Sequence, residues 1–220
     1  RRYGEVNALD NVSFDIYPGE ILGLIGPNGA GKTTLMACMA GLDFPQQGQV
    51  SIPGGGSLRD TLFYLPDGVV AYPELPVRQV LALFAAAFGQ APALARSIGE
   101  ALELPPVYGK RAGNLSKGYR RRLLLAVALL APQPLLMLDE PFDGLDLHQI
   151  RMVLSLLREM PGQGRTLLLS IHQLVDAERA CDRFALLSAG QMLATGNLMQ
   201  LRQQANLTSG GLEEVFLALT

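Results

Sequence analysis

Short apolar runs alternate with helical patterns over most of the chain. Four runs predict strands, at residues 21–25, 61–65, 135–138 and 166–171, and the first and last of them read as buried. Apolar residues at helical spacing predict helices at residues 33–40, 77–90, 93–104, 117–130, 147–160 and 174–180. Buried strands separated by helices are typical of a parallel sheet, so the pattern predicts an α/β fold.

The segment between the second and third of these strands contains helical patterns only. We therefore predict one domain over residues 1–220, in which residues 76–131 are a helical insertion and residues 1–75 and 132–220 form the core. Val12, Phe14 and Ile16 alternate with polar residues, which predicts a half-buried strand. Further predicted elements are a strand at 50–52, a hairpin of 184–187 with 191–194, and closing helices at 197–204 and 212–219.

The composition narrows the class of protein. With 220 residues the chain is long enough for one large domain, and its net charge of −2 provides no general attraction for nucleic acid. Hydrophobic residues make up 49%, which favours a surface docked on a partner. Cys38 and Cys181 form no disulfide framework, which favours a reducing cytosolic setting. The longest apolar run, 123–131, is too short for a bilayer, and no signal peptide is visible, so we expect a soluble protein.

A phosphate-binding loop follows the first buried strand. The pattern G-x-x-x-x-G-K-T/S is met by Gly26, Pro27, Asn28, Gly29, Ala30, Gly31, Lys32 and Thr33, with Thr34 next in the chain. Glycines let the backbone N–H groups turn inward around phosphate oxygens, and the helix that follows adds partial positive charge. Lys32 should reach the β- and γ-phosphates, and the Thr33 hydroxyl should hold Mg²⁺. The plainer alternative is a glycine-rich turn without a ligand.

Three more polar groups follow predicted strands. Asp139-Glu140 ends the run 135–138, where an Asp can anchor Mg²⁺ and a Glu can take a proton from water. Asp67 follows residues 61–65, and His172 follows residues 166–171. Each of these residues alone is weak evidence for a site, because an acid or a His at the end of a strand is often only solvated. Together with the loop they predict one nucleotide site, because the carboxyl ends of parallel strands share one edge.

One further motif separates this chain from other nucleotide-binding proteins. Leu115-Ser116-Lys117-Gly118-Tyr119 lies 23 positions before Asp139 (139 − 116) and resembles the signature Leu-Ser-Gly-Gly-Gln of ATP-binding-cassette (ABC) transporter subunits. The helical insertion, Asp143-Gly144-Leu145-Asp146 and His172 occur in the family order, so the resemblance covers essentially the whole chain. It implies a P-loop NTPase fold of the ABC ATPase type, with a RecA-like parallel-sheet core, an N-terminal antiparallel β subdomain and an inserted α-helical subdomain.

The resemblance also assigns roles within the subunit. Tyr3 would stack on adenine, and Asp139 would position Mg²⁺. Glu140 would be the general base, His172 would contact the γ-phosphate, and Lys32 would clamp the phosphates during catalysis.

Other residues would act on a second subunit. Ser116 and Gly118 would bind the γ-phosphate held by the opposing subunit, where the N-terminus of the signature helix suits an anion. Asp146 matches an acid that contacts the opposing subunit.

Two departures from the family pattern stand out. Lys117 and Tyr119 replace Gly and Gln, and the resulting Leu-Ser-Lys-Gly form resembles family exporters. Asp67 occupies the position of a usual Gln that contacts Mg²⁺ and senses the membrane partner; an aspartate offers the metal an anionic oxygen instead.

The resemblance implies an ATPase with ATP and Mg²⁺ as cofactors. It implies a homodimer or heterodimer of ATPase subunits and an integral membrane permease as partner, at the inner face of the cell membrane. The signature and the short C-terminal part favour an ABC-2 type exporter over an importer. Alternatives are a non-transport ABC ATPase acting on ribosomes or DNA and a nucleotide-binding scaffold without turnover. We interpret the run Arg120-Arg121-Arg122 as a solvated helix face and expect no nucleic acid partner.

Overall fold

The computed structural model describes residues 1–4 and 6–220. Its strands are β1 (Arg2–Tyr3), β2 (Val6–Asn7), β3 (Ile21–Ile25), β4 (Leu62–Leu65), β5 (Leu135–Asp139), β6 (Thr166–Ile171), β7 (Arg183–Ser188) and β8 (Gln191–Gly196). Its α-helices are α1 (Lys32–Met39), α2 (Leu58–Thr61), α3 (Val77–Ala87), α4 (Pro92–Ala101), α5 (Lys117–Leu130), α6 (Leu147–Glu159), α7 (Leu174–Ala180), α8 (Leu198–Gln204) and α9 (Leu212–Leu219).

Six strands form one sheet in the order β4-β5-β6-β3-β7-β8. The first five strands of that order are parallel, and β8 pairs antiparallel with β7. Every residue of β3 and β6 is buried, as expected for central strands with helices on both faces. The register pairs Ile25 with Ile171 and Asp139 with Ser170, so these strands end at the same edge. The predicted α/β fold and its four strands are confirmed, with β4 half-buried at the edge of the sheet.

Two predicted strands are wrong. Residues 12–16 and 50–52 form no ladder among the residues described. Val12, Phe14 and Ile16 do alternate with exposed residues, and they pack against a core cluster beneath β3. Alternation of apolar and polar residues indicates that one side of a segment is buried. A strand also needs a neighbouring strand to accept and donate its backbone hydrogen bonds. The N-terminal antiparallel part is therefore smaller than expected and is reduced to the short pair β1–β2.

The segment between β4 and β5 is helical, as predicted. Helices α3, α4 and α5 pack against one another, and α5 is buried from Arg121 to its end at Leu130. One continuous core joins α5 to the sheet through residues such as Leu123, Leu125, Leu136 and Leu169. The limits drawn at residues 76 and 131 stay a prediction, because the helices and the sheet share this core.

Two further features bear on the sequence-based expectations. Within residues 1–4 and 6–220, no helix combines the length and apolar character that crossing a membrane requires. Cys38 and Cys181 are both free and buried, and burial raises the pKa of each thiol. Both cysteines are therefore packing residues in this fold.

Candidate active site

Close packing shapes the glycine-rich loop between β3 and α1. A side-chain carbon on Gly26 would overlap the carbonyl oxygen of Leu187, and one on Gly31 would lie 2.5 Å from that of Ala8. Gly31 also has a φ of 104° and is the N-cap residue of α1, which has no side-chain cap in the described part of the chain. The first N–H groups of α1 therefore suit a phosphate. The predicted strand–loop–helix context of this motif is confirmed.

Lys32 lies folded over the mouth of the loop. Its Nζ donates to the Gly26 carbonyl oxygen at 2.8 Å and to that of Pro27 at 3.3 Å. The same ammonium lies 3.5 Å from Oε1 of Glu140. With only 6% of the side chain exposed, the charge is held at the mouth of the loop by its own backbone. A bound phosphate there would meet a cation that is already in place.

Glu140 lies between two side chains predicted for the site. Its Oε2 is 2.6 Å from Nδ1 of His172, while its Oε1 faces Lys32. Its backbone has a φ of 50°, and its N–H donates to Oγ of Ser170 at 2.9 Å. A non-glycine residue in this left-handed region costs on the order of 1–3 kcal/mol and persists where its surroundings enforce it. The carboxylate is thus presented in a constrained position.

Asp139 is held by hydroxyl groups at the end of β5. It is 1% exposed, and its Oδ2 accepts hydrogen bonds from the Thr33 hydroxyl at 2.9 Å and from the Tyr64 hydroxyl at 3.3 Å. Its Oδ1 accepts one from the Ser170 hydroxyl. Burial, together with the adjacent carboxylate, raises the pKa of the Tyr64 phenol, which therefore remains a donor. Ser170 and Tyr64 were not among the predicted site residues.

The predicted metal residues can be tested for their fit to Mg²⁺. Thr33 and Asp139 present two hard oxygen atoms 2.9 Å apart at the mouth of the loop. Outside Glu5, which is not described, no three His, Cys, Asp or Glu side chains converge as a metal site. Mg²⁺ commonly takes one or two protein oxygens and completes its shell with water and phosphate. The pair therefore fits a metal that arrives with a nucleotide.

Asp67 has a partner that the sequence did not reveal. Its carboxylate forms an ion pair with the guanidinium of Arg121. Arg121 also donates to the carbonyl oxygen of Asp139 at 3.2 Å. Asp67 lies at the predicted edge of the sheet, but its link to the nucleotide residues runs through an arginine. A direct contact of Asp67 with Mg²⁺ stays a prediction.

The interpretation of the arginine run as a solvated helix face is wrong. Arg121 and Arg122 are only 5% and 3% exposed. The Arg122 guanidinium donates to the carbonyl of Leu102 and to the carboxylate of Glu103, each at 3.0 Å. Arg120 donates to backbone carbonyls near the start of α5. The cause is the position of α5 inside the fold, where a charged side chain must be paired.

The signature segment opens α5. Ser116 is the N-cap residue, and its Oγ accepts from the Tyr119 N–H at 3.4 Å. A side-chain carbon on Gly118 would lie 3.1 Å from the Gly144 carbonyl oxygen, so the helix packs closely on the loop after β5. Lys117 Nζ lies 2.7 Å from Oδ2 of Asp143, and this contact holds the pKa of Asp143 below its usual range. The predicted contact of Ser116 and Gly118 with a second subunit stays a prediction.

Asp146 has a role within its own chain. It is the N-cap residue of α6, where its Oδ1 accepts from the Gln149 N–H at 2.9 Å and the Gln149 side chain returns a bond to its N–H. This reciprocal pair satisfies two otherwise unpaired donors at the helix start.

We expect Asp146→Ala to lower the free energy of unfolding by about 1 kcal/mol, because it removes the cap acceptor. For a chain of this size that corresponds to a fall in Tm of roughly 2–4 °C. Thermal unfolding without nucleotide measures the effect on the isolated chain. Asp146→Asn keeps an acceptor and should retain most of the stability; equal losses in both variants would contradict the cap as the cause.

Tyr3 lies in a separate N-terminal cluster. Its hydroxyl bonds to the carboxylate of Asp43, and the guanidinium of Arg1 lies 4.5 Å from the centroid of its ring. This hydroxyl is the main cause that lowers the pKa of Asp43. The Tyr3 side chain is 46% exposed, so part of the ring is accessible. Stacking of Tyr3 on adenine stays a prediction.

The structure thus gathers most of the predicted residues at one edge of the sheet. Glu140 contacts both Lys32 and His172, Thr33 contacts Asp139, and Asp67 is linked to Asp139 through Arg121. Tyr3, Ser116 and Gly118 lie outside this set of contacts. The arrangement places a cation, a carboxylate, an imidazole and two hard oxygen ligands around a phosphate-binding loop.

Comparison with known proteins agrees with this arrangement. Residues 9–143 match the family described as ABC transporter. The ABC-type transporter ATP-binding protein EcsA of Bacillus subtilis (strain 168) is 36% identical in an alignment that covers 96% of this chain and 90% of that protein. The Nod factor export ATP-binding protein I of Burkholderia orbicola (strain AU 1054) is 35% identical over 206 residues, 89% of this chain and 68% of that protein.

A solved structure gives the same result. The protein described as the ATP-binding subunit of an ABC transporter matches with a TM-score of 0.89 at 34% identity, covering 99% of this chain and 95% of that one. The resemblance drawn from the signature segment and the predicted fold class are confirmed. The chain belongs to the ABC transporter family and is an ATP-binding subunit of the ABC ATPase type.

Proposed function

We propose that this chain hydrolyses Mg²⁺-bound ATP as one of a pair of subunits and so drives export through a separate membrane subunit. The observation that carries the proposal is the contact of Glu140 with both Lys32 and His172 beside the phosphate loop. A carboxylate between a cation and an imidazole, at the mouth of an anion site, suits attack of water on a terminal phosphate.

Each side chain has a task that follows from its position. Lys32 holds the β- and γ-phosphates and leaves Glu140 when the phosphates bind. Glu140 accepts a proton from the attacking water, and His172 holds that carboxylate and the γ-phosphate in line. Thr33 and Asp139 would hold Mg²⁺, which neutralises phosphate charge when it is bound. Tyr3 would stack on the adenine.

A second subunit completes the site in this proposal. Ser116 and Gly118 lie at the start of α5, where helix N–H groups can bind the γ-phosphate of a nucleotide on the partner. ATP would then favour a closed pair of subunits, and hydrolysis would favour an open pair. The populations of the two states would shift because the closed state binds ATP more tightly than the open state does.

Export is favoured over the other uses of an ABC ATPase. The relative from Burkholderia orbicola is named for export of Nod factor, and the EcsA relative is named as a transporter component. The burial of Arg121 and Arg122 removes two cations from any surface for ribosomes or DNA. We therefore place the chain at the inner face of the cell membrane, bound to a permease.

Affinity purification from solubilised membranes tests this proposal. We expect an integral membrane protein to co-purify in a fixed ratio with the chain, and ATP hydrolysis of the complex in lipid vesicles to exceed that of the isolated chain. Ser116→Arg is the control, since it should leave membrane binding intact and block hydrolysis by preventing closure. Recovery of the chain with ribosomes or DNA and without a membrane protein would contradict the export function.

A further inference from the structure

Arg121 extends from α5 to the edge of the sheet that carries the candidate active site. It is 5% exposed, and its guanidinium contacts two other parts of the chain. It pairs with the Asp67 carboxylate after β4 and donates to the Asp139 carbonyl oxygen at the end of β5, at 3.2 Å. A buried cation requires a partner of opposite charge, which Asp67 supplies. Arg121 thus joins the helical segment to the loop after β4 and to the acidic end of β5.

The carbonyl that Arg121 contacts belongs to the peptide unit between Asp139 and Glu140. The N–H on the other edge of that unit donates to Oγ of Ser170 at 2.9 Å. A peptide unit is planar, so a hydrogen bond at each edge fixes its rotation about the chain. Glu140 follows with a φ of 50°, which only its surroundings can enforce. The rotation of this peptide determines where the Glu140 carboxylate lies.

We propose that Arg121 is a positioning residue for Glu140. By holding the Asp139–Glu140 peptide from α5, it keeps the carboxylate where it contacts Lys32 and can accept a proton from water. The inference rests on the proposed role of Glu140 as general base. In this arrangement Asp67 acts through Arg121, because its carboxylate orients the guanidinium.

The adjacent arginine provides a matched control. Arg122 is on the same helix and is 3% exposed. It makes the same kinds of bond, to a backbone carbonyl and a carboxylate, but with Leu102 and Glu103 of the helical segment. Loss of a buried arginine from α5 is therefore common to both positions, whereas the contact with the Glu140 peptide belongs to Arg121.

The experiment compares Arg121→Met, Arg121→Lys and Arg122→Met in steady-state ATP hydrolysis, with kcat expressed per nucleotide-binding site. We expect Arg121→Met to lower kcat by about 10- to 100-fold, the effect of a reacting group displaced by up to ~1 Å. The KM for ATP should stay unchanged, because the phosphate loop is not altered. Arg121→Lys should recover part of the lost kcat, since its ammonium can still donate to the carbonyl. Arg122→Met should keep the wild-type kcat.

Several results would overturn the proposal. These are a wild-type kcat in Arg121→Met, an equal loss in Arg122→Met, or a lysine variant no better than the methionine variant. Because kcat is expressed per nucleotide-binding site, molecules that have not folded do not lower the measured rate. If Arg121→Met does not fold, Arg121→Lys decides: a lowered kcat at unchanged KM supports the proposal, and a wild-type kcat overturns it.

A double-mutant comparison tests whether Asp67 acts through Arg121. Asp67→Asn should lower kcat in the wild-type chain and have no further effect in Arg121→Met, because both then lose the same contact. A full effect of Asp67→Asn in the Arg121→Met background would show a separate role, such as a metal contact, and overturn this part. Glu140→Gln serves as the reference variant. If Glu140→Gln still turns over ATP, Glu140 is not the general base, and the role of Arg121 is disproved with it. If Glu140→Gln is inactive and Arg121→Met has a wild-type kcat, only the role of Arg121 is disproved.

Discussion

Replacing Lys32 with alanine is expected to cause the largest loss of nucleotide binding among single changes to this chain. The ammonium is 6% exposed and is held at the loop by two backbone carbonyls. Its contacts with phosphate would be charge-assisted hydrogen bonds in a site with little water. Leaving such contacts unmade costs at least about 2–3 kcal/mol. That corresponds to a fall in ATP affinity, or in kcat/KM, of roughly 30- to 150-fold.

Titration with ATP and Mg²⁺, followed by steady-state hydrolysis, measures both quantities for Lys32→Ala. Lys110→Ala is the control, because Lys110 is an exposed lysine in the helical segment and should leave both values unchanged. The same values for Lys32→Ala and the wild type would show that the Lys32 ammonium does not hold phosphate.

Glu140→Gln should separate chemistry from binding. Glutamine keeps the size of the side chain and can still hydrogen bond to His172, but it cannot take a proton from water. Loss of a general base typically lowers kcat by about 10²- to 10⁴-fold. The phosphate loop is unchanged, so ATP affinity should stay close to that of the wild type. ATP would then persist uncleaved, and the closed pair of subunits would accumulate.

Size-exclusion chromatography with and without ATP measures that accumulation directly. We expect Glu140→Gln to shift from monomer to dimer only in the presence of ATP, and the double variant with Ser116→Arg to remain monomeric. If the wild type forms an ATP-dependent dimer and Glu140→Gln does not, Glu140 supports closure and is not the base.

The sequence was sufficient for the features that depend on local pattern. A mainly apolar run such as residues 166–171, short and placed between helical patterns, is typical of a strand buried on both faces of a parallel sheet, so the central strands could be predicted. The phosphate loop and Glu140 are tied to the ends of these strands, which explains why their meeting at one edge was also predicted. The signature segment at Ser116 added a family with a defined order of motifs.

The features that were missed depend on contacts between distant residues. Asp67 and Arg121 are 54 positions apart, and nothing in either segment indicates that they pair. The run of three arginines resembles a solvated face, because sequence alone does not show that α5 is enclosed. Ser170 did offer a signal: a hydroxyl within a run of buried apolar residues must find a partner, and here the partner is Asp139.

The burial of both cysteines makes this chain suited to measurement with thiol-specific probes. Cys38 and Cys181 are 7% and 5% exposed, and reaction with a probe requires an accessible thiolate. A spectroscopic label would therefore attach to a cysteine introduced at an exposed site while the native pair remains unmodified. One label on α4 and another on α6 would report the distance between the helical segment and the sheet as nucleotide is added, in an otherwise unaltered protein.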